Sequence, residues 1–320
     1  MRFGRIRLSL AILIFQAGAA CAQICIFTNT GIDFGNVSLS SGGTQTSSGA
    51  FTASCTGTPN QTIRICANLN EGSGGASAGG DPRYLTQGAT RLNYNLYRNN
   101  GGNQVWGSNT WSGSSLPPNI SLAVAANGTA STSLSIFGKI ASGQGALPPG
   151  TYLSLFSGNH TQIDYGYAPG FRCGATLSPR VQNVPFLVRV TNNSSCTVTA
   201  TALNFGNQTD LNTIKTSTNA ISVTCTGGTL YDIGMNNGSS GGAGPTSRLM
   251  KNVGTAQAVT YGVYRNNAYT LPWGNTPGVD TVSATGTGLA QNYAGYGLIP
   301  VQGTPPALTY TDTVVVTVTY

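Results

Sequence analysis

Apolar and polar residues alternate with a period of two in short stretches along most of this chain. Thr62-Ile63-Arg64-Ile65, Arg91 to Tyr97 and Ala220 to Thr224 each place every second side chain on one face, the signature of a half-buried β-strand. Val184, Phe186, Val188 and Val190 alternate in the same way, as do Val314, Val316 and Val318 near Tyr320. Between these stretches lie Asn-Gly, Gly-Gly and Pro-Gly pairs, which mark turns. The pattern predicts an all-β protein of sandwich type, with no helix beyond residue 22.

One run departs from the alternation. Leu8 to Phe15 is continuously apolar, follows Arg2, Arg5 and Arg7, and precedes small residues ending in Ala20-Cys21-Ala22. This reads as a secretory signal peptide, residues 1–22, cut after Ala22. It is shorter than the ~20 apolar residues that a membrane span needs. Acylation of Cys21 is the alternative reading, and Gly18 suits it poorly.

The remaining chain repeats itself. From Cys25 it reads Asp33-Phe34-Gly35-Asn36, Cys55-Thr56-Gly57, Arg83-Tyr84-Leu85, Tyr94 to Asn100 and Trp106-Gly107. From Cys196 it reads Asn204-Phe205-Gly206-Asn207, Cys225-Thr226-Gly227, Arg248-Leu249-Met250, Tyr261 to Asn267 and Trp273-Gly274. So long a period indicates two copies of a domain and not a solenoid, whose repeats run ~20–50 residues. The copies correspond as far as Tyr152 and Tyr310, then diverge. Trp106 and Trp273 match, so both read as structural.

Six cysteines follow the signal, and the duplication pairs them. Cys25 and Cys55 are 55 − 25 = 30 positions apart, and Cys196 and Cys225 are 225 − 196 = 29 apart. Pairing each set leaves Cys66 with Cys173, both peculiar to the first copy. Disulfides imply an oxidising compartment. Metal binding is the rival reading, but the chain has no C-x-x-C pair and one histidine.

Charge adds exclusions. Three of the 15 Lys and Arg residues lie in the predicted signal, and the rest are scattered, without the basic face that nucleic-acid binding needs. His160 and Asp164, four apart in a predicted strand, read as a polar coincidence. The acids, among them Asp33, Glu71, Asp232 and Asp312, stand singly, and nothing recommends a carboxylate pair for glycoside chemistry. The Gly-rich stretches 72–80 and 238–244 follow strands without opening helices, so they read as hairpin loops and not phosphate cradles. No catalytic residue, cofactor or metal site is predicted, and the chain reads as a non-enzyme.

The Cys–Phe-Gly–Cys-Thr-Gly order, the Arg-Leu-Met step, the Tyr-x-Val-Tyr-Arg strand, Trp-Gly and the closing Tyr-Thr-Asp-Thr-Val-Val-Val-Thr-Val-Thr-Tyr resemble the spore coat protein U domain. The match spans all of the second copy and about three-quarters of the first. The resemblance implies immunoglobulin-like, pilin-type sandwiches, as in subunits of archaic chaperone–usher pili. Two-domain members of that family are tip adhesins, with an N-terminal receptor domain joined to a C-terminal pilin domain. It implies a periplasmic chaperone, an outer-membrane usher, an adjacent pilin subunit and a host or abiotic surface as partners. A function in attachment and biofilm formation, at the tip of a cell-surface pilus reached through the periplasm, follows from it.

The unequal ends of the copies bear on this directly. After Tyr152 the first copy continues for about forty residues, including Val184 to Val190, which reads as a final strand it supplies to itself. The second copy ends without an equivalent. Four buried apolar side chains at ~1.5–3 kcal/mol each supply on the order of 6–12 kcal/mol, against a net domain stability of ~5–15 kcal/mol. The second sandwich is therefore expected to lack its final strand and to accept one from a neighbour. Val314, Val316, Val318 and Tyr320 are the expected subunit or chaperone interface. A complete second sandwich with exposed edges is the alternative.

The expected domains are 23–191, a linker at 192–195, and 196–320. Only Gln23 and Ile24 separate the predicted cleavage site from Cys25, so the chain is expected to accept a strand and to donate none, at the free end of a fibre. The adhesive surface is expected on the connection from about Tyr165 to Asn183, at the distal end, with Tyr165, Tyr167, Pro169 and Phe171, and with Trp111 as an addition. The rival for those aromatics is a lid over the sandwich. The rival function is a secreted structural β-sandwich protein of a coat or matrix.

Overall fold

The computed structural model describes residues 23–174 and 179–320. The predicted signal and Cys21 lie outside the described residues. The first copy forms β1 (Ile24–Asn29), β2 (Ile32–Val37), β3 (Gln45–Thr56), β4 (Thr62–Ala67), β5 (Arg83–Gln87), β6 (Thr90–Tyr97), β7 (Asn119–Ala123), β8 (Thr129–Ile140), β9 (Gly150–Phe156), β10 (Gln162–Ala168), β11 (Arg180–Asn183) and β12 (Phe186–Asn192). The second forms β13 (Cys196–Ala200), β14 (Lys215–Cys225), β15 (Leu230–Met235), β16 (Arg248–Lys251), β17 (Ala258–Tyr264), β18 (Val282–Thr285), β19 (Ala290–Ile299) and β20 (Val316–Thr319).

Each copy is a sandwich of two sheets. In the first, the order β1-β3-β8-β6-β5-β9-β12-β2 faces the order β11-β10-β4-β7. In the second, β13-β14-β19-β17-β16 faces β18-β15-β20. Alternating side chains fill the space between the sheets, with Phe51, Ile63, Ile65, Leu85 and Ile136 buried in the first core and Ile221, Val223 and Ile233 in the second.

The repeated Arg and Trp form matching knots at the centre of each core. The Trp106 and Trp273 indoles donate to the carbonyls of Ala67 (2.8 Å) and Ile233 (2.9 Å). Arg83 is fully buried and donates to the carbonyls of Leu69, Asn70 and Trp106 and to Asn95. Arg248 donates to those of Met235, Asn236, Pro245 and Trp273. A buried charge is tolerable only when its donors are satisfied in this way. Burial lowers the Arg83 pKa to about 10, so it stays charged at neutral pH.

The three disulfides join Cys25 to Cys55, Cys66 to Cys173 and Cys196 to Cys225. β12 runs one residue into the segment read as linker, and β13 starts at Cys196. The sandwiches meet there: Gly227 N–H donates to the Gly145 carbonyl (2.9 Å), and the Thr226 hydroxyl to the Asn193 carbonyl (3.2 Å). Gly227 has no room for a side chain, because its Cβ would lie 2.0 Å from the Ala146 carbonyl oxygen.

Candidate functional site

In the first sandwich β12 lies between β9, to which it is antiparallel, and β2, to which it is parallel. Val188 and Val190 are fully buried there, and Phe186 stacks on Phe156 at 4.5 Å. In the second sandwich the matching position is open. Residues 203–211, the counterpart of β2, and 304–310, leading into the counterpart of β9, form the walls of a groove of about 890 Å³. Met250, Val259 and Ile299 line it from the core, with Leu203, Phe205 and Tyr310 on the walls.

Both walls keep the local geometry of the first copy. Gly206 N–H donates to Asn204 Oδ1 at 2.8 Å, as Gly35 N–H does to Asp33 Oδ1. The Tyr310 hydroxyl donates to the Pro306 carbonyl at 2.8 Å, as Tyr152 does to Pro148. Neither wall is a strand, because a strand needs a ladder partner and the shared one is absent. Thr311 makes a single bridge to Lys251.

Asp312 lies where the first copy has Ser154. Its carboxylate accepts from the Tyr261 hydroxyl (2.7 Å), from Ser240 N–H (3.0 Å) and from Thr313 N–H (2.9 Å). Partial burial pushes its pKa up, but the Tyr261 hydroxyl and these N–H groups outweigh burial and hold it below the usual value. Val314, Val316 and Val318 pack half-buried on the core. β20 lies beyond the groove, in the opposite sheet, paired on one side with β15, and Tyr320 is 60% exposed, against 3% for Tyr165 at the matching position.

The end of the first sandwich away from the linker is made by three loops, residues 57–61, 124–128 and 168–171. Gly57 N–H donates to the Gly128 carbonyl, Asn60 N–H to the Val124 carbonyl, and Thr58 N–H to the Tyr167 hydroxyl (2.7 Å). Pro59, Ala125, Ala126 and Pro169 are exposed on these loops.

The aromatics expected to form an adhesive surface are divided by the structure. Tyr165 is buried, edge-on to Phe27. Phe171 is buried against Gly166, where a Cβ would come within 2.7 Å of it. Neither ring is presented outward, because both fill space that period-two alternation or a facing glycine opens to them. Tyr167 is half-buried, and its hydroxyl ties two of the loops. Trp111 stands over Arg83, 5.4 Å from the guanidinium carbon to the ring centre, and not among the distal loops. The connection beyond β10 spans 169–179. Its described part begins with a turn, in which Phe171 N–H donates to the Tyr167 carbonyl (2.8 Å), and Cys173 then reaches Cys66.

His160 and Asp164 do not meet: His160 Nδ1 lies 3.9 Å from Glu71, while Asp164 accepts from Asn68 and Gln162. Among the described residues no group of three His, Cys, Asp or Glu side chains could hold a metal.

The sequence matches the Spore Coat Protein U domain over residues 11–157 and again over 182–317. The chain belongs to this family. No curated protein matches the sequence. One similar solved structure is the pre-assembly complex of the chaperone CsuC with the tip adhesion subunit CsuE, from archaic chaperone-usher Csu pili of Acinetobacter baumannii. It is 17% identical with a TM-score of 0.53, covering 93% of this chain and 100% of that one. The CupB6 tip adhesin from Pseudomonas aeruginosa is 13% identical with a TM-score of 0.38, covering 92% and 93%. The first of these likenesses carries the fold, two tandem pilin-type sandwiches, and in the second the place that β12 fills in the first has no strand.

Proposed function

We propose that this spore coat protein U domain protein is the tip adhesin of an archaic chaperone–usher pilus. It is non-enzymatic and mediates attachment to surfaces and biofilm formation. It is exported by a signal peptide cut after Ala22, escorted by a periplasmic chaperone and passed to an outer-membrane usher. Its second sandwich is held to the fibre by a strand donated from the adjacent subunit. Residues 23–191 act as the adhesive domain and 196–320 as the pilin domain.

The observation that carries this reading is the open groove beside a filled one. The chain itself contains a sandwich completed by the strand leading into the next sandwich: β12 ends at Asn192 and β13 begins at Cys196. The family match for the second copy starts at residue 182, which is 196 − 182 = 14 positions before its first cysteine. The matched span therefore overlaps β12, which supports reading the junction between the sandwiches as a strand donated from one unit to its predecessor. The second groove lies at the position that β12 fills in the first sandwich, and main-chain ladders along both walls would complete it. Val314, Val316, Val318 and Tyr320 lead away from the groove into and past β20 of the opposite sheet, and are proposed as a further contact for the chaperone or the adjacent subunit.

The distal loops are the proposed adhesive surface, with Tyr167 and Cys173 fixing them from beneath. Rigid loops bearing apolar tips lose little conformational entropy on contact. Immunolabelling of fibres viewed by electron microscopy tests the assignment: label at fibre ends is expected, and label along the shaft overturns it. Replacing Pro59, Ala126 and Pro169 together by Asp is expected to reduce attachment at unchanged fibre display.

A further inference from the structure

We propose that Asp312 is a positioning residue that holds the acceptor edge of the second sandwich in place while the groove is open. The inference rests on the reading of that groove as a strand acceptor. It comes from the two copies' different solutions at one position. In the first, residue 154 is a fully buried serine whose hydroxyl accepts from Gly74 N–H (3.3 Å), and β12 pairs along the whole of β9. The strand there is held by its ladder, so a hydroxyl suffices.

In the second, the ladder partner is missing and the segment from Leu308 to Val314 depends on other attachments. Asp312 provides the densest of them. Its one carboxylate gathers β17, through the Tyr261 hydroxyl, and the loop at Ser239 and Ser240, through a hydroxyl (3.4 Å) and an N–H. Asn236 Oδ1 adds a bond from Val315 N–H (2.9 Å), just beyond the open stretch. Gly238, at φ 82°, leaves space for this, because a Cβ there would lie 1.9 Å from Asp312 Oδ2. A carboxylate is suited to the task, since it accepts several bonds at once and its charge-assisted bonds are stronger than those of a hydroxyl. Tyr261 in turn packs edge-on against Phe205 of the opposite wall, at 6.2 Å. The carboxylate thus fixes one wall and, through Tyr261, touches the other.

The consequence is specific to context. Loss of the carboxylate should matter while the groove is empty and matter little once it is filled, as Ser154 illustrates. The test uses two forms of the full chain after signal removal. One is open and is offered a synthetic peptide of its own residues 180–192. The other carries that same segment after a flexible linker joined to Tyr320, so that it can fold back along the edge.

With Asp312→Ser, peptide capture by the open chain, read by fluorescence anisotropy, is expected to fall about tenfold or more, as for lost hydrogen bonds to a charged group. The melting of the second sandwich in the filled chain should hardly move. Asp312→Asn, which keeps an acceptor oxygen, should fall between. If Asp312→Ser cannot be recovered as an open chain, the same comparison is read from Asp312→Asn. An equal penalty in both forms overturns the positioning role and leaves the groove reading intact. If the unsubstituted chain neither captures the peptide nor is stabilised by the attached segment, the groove reading falls and the inference with it.

Discussion

Residues 33–36 and 204–207 carry the same turn with the same hydrogen-bond length, yet the first lies in a strand and the second does not. The same holds for the segments beginning at Tyr152 and Tyr310. Local sequence shapes the turn and the tyrosine anchor in both copies, but the ladder exists only where a third segment runs between the walls. The largest difference between the sandwiches is thus the occupant, β12, and on the walls that receive it Asp312 stands where the first copy has Ser154. The leftover apolar face is correspondingly wetter: Leu203, Tyr310 and Val314 are half-buried, while their counterparts Ile32, Tyr152 and Phe156 are closed off in the first core.

The comparison is broken most directly by damaging the occupant. Val188→Asp places a charge at a fully buried site between two ladders, and should destabilise the first sandwich by about 4–5 kcal/mol or more. The second sandwich should keep its amide protection, as followed by hydrogen exchange resolved by segment. Concurrent loss in both would show that they do not fold as separate units.

Much of this is legible in the sequence, and the gaps have physical causes. Alternation at Val184 to Val190 marks a strand, and the duplication exposes its missing counterpart. The groove walls at Leu203 and Phe205 carry no signal of their own, because they are distinguished only by what does not cover them. Tyr165 and Phe171 look like exposed aromatics because the sequence repeat stops at Tyr152 and Tyr310, so no matching residue marks either of them as core. Whether a ring points in or out depended on Gly166 and Phe27, which the linear order does not bring together. Asp312 stands as an isolated acid in the sequence, since its partners Tyr261 and Ser240 lie 51 and 72 positions away.

A smaller effect is expected from the one bridge that the second copy lacks. Cys66→Ser with Cys173→Ser removes a crosslink spanning 107 positions and should cost roughly 2–4 kcal/mol in the first sandwich alone. Calorimetry should show one of two transitions move, and protease sensitivity should rise within 169–179. The smallest effect concerns acid. The Asp312 carboxyl titrates below the usual value, so its contribution is full above the ordinary carboxylate range, around pH 4. It is lost as pH falls through the depressed folded value. Its neighbours Tyr261 and Arg248 stay protonated throughout, the first because burial raises it and the second because it is lowered only from a strongly basic value. Asp312→Asn should flatten this acid limb for the second sandwich, and an unchanged limb would place the titration elsewhere.

The placement of β12 also has a mechanical meaning. A molecule anchored at its second sandwich and gripped at its distal loops would be loaded along the axis of β12, since that strand continues through three residues into β13. Both flanking ladders would then be strained in shear, all their bonds together, and could not open one at a time like a zip. Resistance to such a pull is set by the rate of unfolding and not by equilibrium stability. The close seating of Gly227 on the Gly145–Ala146 loop leaves little slack at the joint. Flow across a surface would thus meet a short, stiff lever whose strongest direction is the direction of tension.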